Sequence, residues 1–261
     1  IQRMVKTATK STLISEYRFD GLVPMAFGQG VTVLQYAFRG SDLYCAKIGN
    51  PLSIQREVEV AERVHKDQKC PTIMPVIDSL RISETRLAMI APFYPLPLSH
   101  TVVQENTVVN MALCALATVK GFSSKNLCHG DMKPSNMMFQ ASNRIVVTID
   151  FGSCVEYGET ISATSPMFGL DCSIEGSLQY DLTCVATSII FLLENELDQF
   201  RTRDDVKSWL ASRHGMPYTI ASLCLGETDS VDPIWEKCKQ LATLMHSDAD
   251  WIVDLDTIWP A

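Results

Sequence analysis

The chain has no pair of cysteines close enough to clasp a metal. Its nine cysteines never come within fewer than twelve positions of one another. No CxxC exists, so a zinc site is excluded as an organising feature. The number is odd and several cysteines sit in apolar stretches, so reduced core thiols of an intracellular protein are expected. No run approaches 18 apolar residues. The longest, around Val185 to Leu193, is interrupted by Thr187 and Ser188, which argues against a membrane-spanning helix and a membrane partner. Excess positive charge is missing too: 22 Lys and Arg face 30 Asp and Glu, a formal net charge of −8. Nucleic acid is therefore not expected as a partner, while a basic peptide or protein would suit. There is no internal repeat or low-complexity block, and no signal peptide is expected from the opening residues. The chain opens on Ile1 rather than Met, which points to an excised domain.

What is present is a 261-residue chain, 46% hydrophobic and 20% charged, able to bury a sizeable core as one large domain or two modest lobes. The first ninety residues read as short strands, with apolar stretches in Gly21–Gly40 and a strand at Asp42–Ile48 after the Gly40-Ser41 turn. Ser53–Val64 reads as a helix capped by Ser53, with Ile54, Val58, Ala61 and Val64 at helical spacing. Strands follow at Ile73–Ile82 and Arg86–Ala91. Pro92, Pro95 and Pro97 then make a stiff connector. Beyond it the pattern is helical at Glu105–Phe122, Asp181–Glu196, Arg203–Arg213 and Asp232–His246. Strands first and helices second predict an α+β fold in two lobes, residues 1–93 and 94–261. Clefts between such lobes are common ligand sites.

Chemistry concentrates in Cys128–Phe139, CHGDMKPSNMMF. It gathers His129, Asp131, Lys133 and Asn136 in eight residues, before a β-branched run (145–149) that ends in Asp150-Phe151-Gly152. A carboxylate, an ammonium and a carboxamide on one loop, with a second carboxylate on the next, are what phosphoryl transfer requires. Asp131 suits the proton of an attacking hydroxyl and Lys133 the moving phosphoryl group, while Asn136 and Asp150 offer oxygens to Mg²⁺.

HGDMKPSN followed by DFG, in this order and spacing, resembles the eukaryotic protein kinase superfamily. The resemblance runs over roughly residues 20–246. It implies a bilobal kinase-like fold that binds ATP and Mg²⁺ where the site is competent. Lys47 in YCAKI sits at the position of the family's strand lysine. Glu57 is its expected ion-pair partner, against a rival register that puts Ser53 there. Asp181 resembles the buried aspartate opening the family's central helix. Gly28 and Gly30 match the phosphate-binding loop. At the hinge, Ile90 as gatekeeper makes Phe93 the N–H donor to adenine, whereas Met89 would make it Pro92, which has no N–H. Within the superfamily, HGD, IDFG, KIGNP and QYDLTCVATSIIFLL are most similar to the spindle-checkpoint Bub proteins. That implies kinetochore or checkpoint partners and a nuclear, kinetochore location.

Three departures bear on activity. The third glycine of the loop is Val33, and in the simplest register Gln35 replaces the apolar residue that would cover adenine. Asp181 follows Asp150 by only 31 positions, with Cys172-Ser173-Ile174-Glu175 as the nearest stand-in for the family's APE motif. Gly130 occupies the place of the arginine that reads a phosphorylated activation loop, so no switch through that contact is expected. The first two departures imply a pseudokinase, an interaction module with poor or no ATP binding. The complete set Lys47, Glu57, Asp131, Lys133, Asn136 and Asp150 implies the alternative, an active Ser/Thr kinase.

Overall fold

The computed structural model describes residues 12–22, 32–67, 69–100, 104–140, 142–162, 165–244 and 253–259. The expected phosphate-loop positions Gly28 and Gly30 lie outside the described residues. The chain divides into two compact units, 1–59 with 75–93, and 60–74 with 94–261.

Unit one is built on strands. β1 (Thr12–Ile14), β2 (Tyr17–Leu22), β3 (Val33–Arg39) and β4 (Asp42–Gly49) are followed by the helix α1 (Pro51–His65). Two more strands follow, β5 (Asp78–Ser83) and β6 (Arg86–Pro92). The six strands form one sheet in the order β1-β2-β3-β4-β6-β5, each neighbour pair antiparallel. One face carries a buried cluster of Tyr17, Phe19, Ala37, Ala46, Ala88 and Ile90. α1 starts earlier than the sequence suggests. Its cap is Asn50, whose side-chain oxygen accepts the Leu52 N–H at 2.9 Å, and not Ser53. Pro51, with φ preset for a helix, takes the first position. Ile54, Val58, Ala61 and Val64 form the expected buried stripe. The division between the units falls inside this helix, after Glu59.

The expected strand at Ile73–Ile82 splits in two. Only Asp78–Ser83 joins the sheet; Ile73 instead pairs with Thr148 in unit two, where the Met74 N–H donates to the Thr148 carbonyl at 3.0 Å. Pro75, lacking an N–H, ends that pairing.

Unit two is mainly helical. α2 (Glu105–Ser123) leads to a short strand β7 (Leu127–Cys128), the hairpin β8 (Met137–Gln140) and β9 (Ile145–Thr148), and then β10 (Val155–Glu156). The helices α3 (Pro166–Gly169), α4 (Leu178–Glu194), α5 (Arg203–Leu210), α6 (Met216–Cys224), α7 (Asp232–Leu244) and α8 (Leu255–Ile258) complete it. α2 and α4 are apolar nearly all round, with fourteen and twelve buried residues, which marks them as core helices. α4 begins three residues before Asp181 because Ser177 caps it, accepting the Tyr180 N–H at 3.2 Å. α6 lies outside the helices expected from the sequence; Gly215 caps it and Pro217 stands in its first turn. Trp235 stacks on Trp259 at 4.1 Å. None of the nine cysteines forms a disulfide, and seven are buried. No helix among the described residues is long and apolar enough to cross a membrane.

Candidate active site

In unit one the Lys47 ammonium, on β4, reaches both carboxylate oxygens of Glu57, on α1, at 2.7 Å. Glu57 is 2% exposed, and a carboxylate so deeply buried is stable only when paired. Ser53, the rival for this place, is exposed.

Strand register decides which side chains share a face with Lys47. Directly opposed residues on antiparallel strands project to the same side, as do alternate residues along one strand. Leu34 opposes Lys47 and Tyr36 opposes Cys45. Across β6, Met89 opposes Lys47 and Ala91 opposes Cys45. The lysine's face therefore carries Leu34, Tyr36, Cys45, Met89 and Ala91. Phe93 leans on it, its ring 5.4 Å from that of Tyr36. Burial pushes the Cys45 thiol up to about 11, so it stays protonated there.

Val33 and Gln35 oppose Ile48 and Ala46 and belong to the other face. Gln35 therefore does not interrupt the apolar lining beside Lys47; Leu34 and Tyr36 supply it. Ile90 is also on the other face, opposite Ala46 and fully buried. The count that singled out Phe93 started from Ile90, and the register removes that starting point. Three residues on from Ala91 is Tyr94, and from Met89 is Pro92.

In unit two the residues of the HGDMKPSN loop hang from one buried carboxylate. Asp181, 1% exposed, accepts the His129 N–H at 2.7 Å, the Gly130 N–H at 3.0 Å and the Cys128 thiol at 3.3 Å. Burial raises its pKa, a shift opposed by nearby His129 and by the backbone donors. The His129 ring is fixed in turn: its Nδ1 accepts the Asp131 N–H at 3.2 Å, leaving Nε2 to donate to the Ile149 carbonyl at 3.3 Å. Phe122 and Phe151 lie edge-on to it at 5.5 and 6.0 Å.

Asp131 is held on one oxygen only. Its Oδ2 accepts from Asn136 Nδ2 at 2.9 Å and pairs with the Lys133 ammonium at 2.7 Å. Its Oδ1 is buried with no hydrogen-bonding partner among the described residues. Asn136 Nδ2 also donates to the Asp131 carbonyl at 2.9 Å. Both amide hydrogens are thus engaged, and Oδ1 is the end that can face a cation. The Ile149 N–H donates to the Asn136 carbonyl at 2.9 Å, which ties Asp150 to the same loop. Asp150 sits at φ +66°, a left-handed conformation that side chains other than glycine seldom adopt outside functional turns. A carboxylate and a carboxamide oxygen are hard donors and fit Mg²⁺, which completes its shell with phosphate oxygens and water.

Lys133 has a second partner that the sequence did not suggest, the Ser165 hydroxyl at 2.7 Å. Its only sequence signal is a serine before Pro166 in the segment between DFG and Asp181.

Gly130 is required by its surroundings. Its φ is +78°, and a Cβ there would stand 2.6 Å from the Ser153 carbonyl oxygen and 3.0 Å from Ile161. The chain after DFG thus occupies the space an arginine side chain would leave through. That chain is itself laced together, with the Ile161 N–H on the Ile174 carbonyl at 2.7 Å and the Gly176 N–H on the Glu159 carbonyl at 2.8 Å. Gly176 admits the close approach, since a Cβ would lie 2.6 Å from Val155. Glu175, the expected stand-in for the APE glutamate, is exposed and forms no ion pair among the described residues. The segment is fastened elsewhere: Thr187 donates to the Phe168 carbonyl at 2.8 Å, and Asp171 accepts the Arg203 N–H at 2.9 Å.

No family model and no curated protein matches the chain. A solved structure of vaccinia related kinase 3 superposes with a TM-score of 0.66 at 10% sequence identity, covering 91% of this chain and 90% of that one. The chain has a protein-kinase-like fold. At that identity the likeness concerns the fold and not the reaction. Within this kinase-like fold, unit one brings Lys47 to Glu57, and unit two brings Asp131, Lys133 and Asn136 together beside the strand leading to Asp150. Leu34, Tyr36 and Ser165 are the additions.

Proposed function

We propose that this chain is a Bub-like protein kinase domain that transfers the γ-phosphoryl of ATP to a serine or threonine hydroxyl. The observation that carries the reading is the asymmetric Asp131 carboxylate. Oδ2 is immobilised by Asn136 and Lys133, while Oδ1 is buried without a partner among the described residues. A substrate hydroxyl gives its proton to that oxygen as its own oxygen attacks phosphorus, and ADP departs. Lys133 neutralises charge on the moving group, and the Lys47–Glu57 pair of unit one is the pair that the kinase resemblance assigns to ATP. Mg²⁺, held through Asn136 and Asp150, would supply charge neutralisation at the β- and γ-phosphates. The inactive reading draws on Val33, Gln35 and the short segment before Asp181; of these, Val33 and Gln35 face away from Lys47. The test is transfer of labelled phosphate from Mg·ATP by the wild type and Asp131→Asn. The expected loss is about 10²-fold or more. Equal rates, or none in either protein, would overturn it.

A second reading is favoured by the Glu175 side chain, exposed and without an ion pair among the described residues: a Bub-like pseudokinase serving as an interaction module among kinetochore or checkpoint proteins. A thermal-shift titration separates the two. Saturation at 100 times Kd stabilises a fold by about 2.7 kcal/mol, and no shift at millimolar Mg·ATP favours the module.

A further inference from the structure

Ser165 occupies the N-cap of α3, where a serine normally accepts an N–H of its own helix, yet it makes no such bond. Its hydroxyl accepts from Lys133 instead, at 2.7 Å, and the same ammonium pairs with Asp131 at 2.7 Å. The substrate-side segment and the catalytic loop thus meet at one neutral hydroxyl beside a single cation. Ser165 is half-buried rather than sealed, and its backbone is extended (φ −106°, ψ 93°) ahead of Pro166, as a residue before proline tends to be. A half-buried serine directly before a proline is the acceptor pair that a proline-directed kinase recognises.

We propose that Ser165 is a phosphorylation site, and that its phosphate captures Lys133 from Asp131 and so switches transfer off. The proposal rests on the kinase reading above. A protein kinase accepting proline after the target serine moves the γ-phosphoryl of ATP onto Ser165 Oγ. A P–O bond forms there, the bond to ADP breaks, and the hydroxyl proton passes to that enzyme's base. The product carries a charge of about −1.5 to −2 at pH 7 and three acceptor oxygens. Lys133 has one ammonium, and the dianion outcompetes the Asp131 carboxylate for it. Asp131 is left beside a new anion, without its neutralising partner and with its geometry loosened.

The experiment uses the whole chain in three forms: unmodified, phosphorylated at Ser165 by a proline-directed kinase with ATP, and the same phosphoprotein carrying Lys133→Met. Mass spectrometry is expected to find the label on Ser165 and to lose it in Ser165→Ala; absence of label on Ser165 would overturn the site. Phosphorus NMR then follows the phosphoserine, whose second pKa is ordinarily about 6. Capture of Lys133 lowers it by about one unit, and Lys133→Met restores it. An ordinary value in the unmutated phosphoprotein would overturn the capture. Transfer by the phosphoprotein is expected to fall about 10²-fold against the unmodified chain, and an equal or faster rate would overturn the switch. Should the unmodified chain transfer nothing while the phosphate still titrates low, the kinase reading alone falls and the Ser165–Lys133 capture stands supported.

Discussion

The two units hold their chemically important side chains by different means. In unit one, Lys47 and its neighbours are set by strand pairing, so what faces the ammonium depends on a register that slips in steps of one residue. In unit two, Asp131, Lys133 and Asn136 stand on a loop of irregular backbone, and individual hydrogen bonds to buried groups set each position. A one-residue slip in a sheet exchanges the two faces wholesale. A loop tied at Asp181, Ile149 and Ser165 has no such collective error available, because every anchor names its own partner. The lesson is that a side chain's placement is robust in unit two and register-sensitive in unit one.

The largest expected effect comes from cutting the anchor of unit two. Asp181→Ala strands two buried backbone N–H groups and a thiol, and should cost about 2–4 kcal/mol. Urea unfolding measures it; a loss below about 1 kcal/mol would mean that the loop is held by something else. Next is Gly130→Ala. With φ at +78° and the Ser153 carbonyl in the way, it should cost about 1–3 kcal/mol, read from the same curves. A neutral result would show that the chain after DFG yields easily. The smallest effect tests the register of unit one. Tyr36→Ala should weaken Mg·ATP binding by about 1 kcal/mol, as loss of an aromatic contact does, while Gln35→Ala leaves it unchanged. Calorimetric titration with the reverse ranking would break the assignment of faces.

The candidate-site loop was legible because its residue types are grouped over a short span: HGDMKPSN and DFG carry their own spacing. The ion pair of Lys47 with Glu57 was legible for a similar reason, since Ile54, Val58 and Ala61 mark the buried stripe of α1 and place Glu57 beside it. Gln35 and Ile90 were misread because a strand's sequence states which residues alternate but not which of the two sets faces which layer. Ile73 was misread because an apolar β-branched residue pairs equally well with either unit, and only Pro75 and Thr148 decide. Ser165 went unnoticed because its partner Lys133 lies 32 positions away, and a lone serine before proline carries no sign of what its hydroxyl meets.

By itself the amino-acid order determined the fold class, the two-part strand-then-helix organisation and the loop where candidate site residues gather, since these follow from periodicity and from local groupings of polar side chains. Only the tertiary structure decided the face shared with Lys47, the closure around Gly130 and the bond from Lys133 to Ser165. Each of these depends on a meeting between segments distant in the chain, and the free energy that selects such a meeting belongs to the pair and cannot be read from either segment alone.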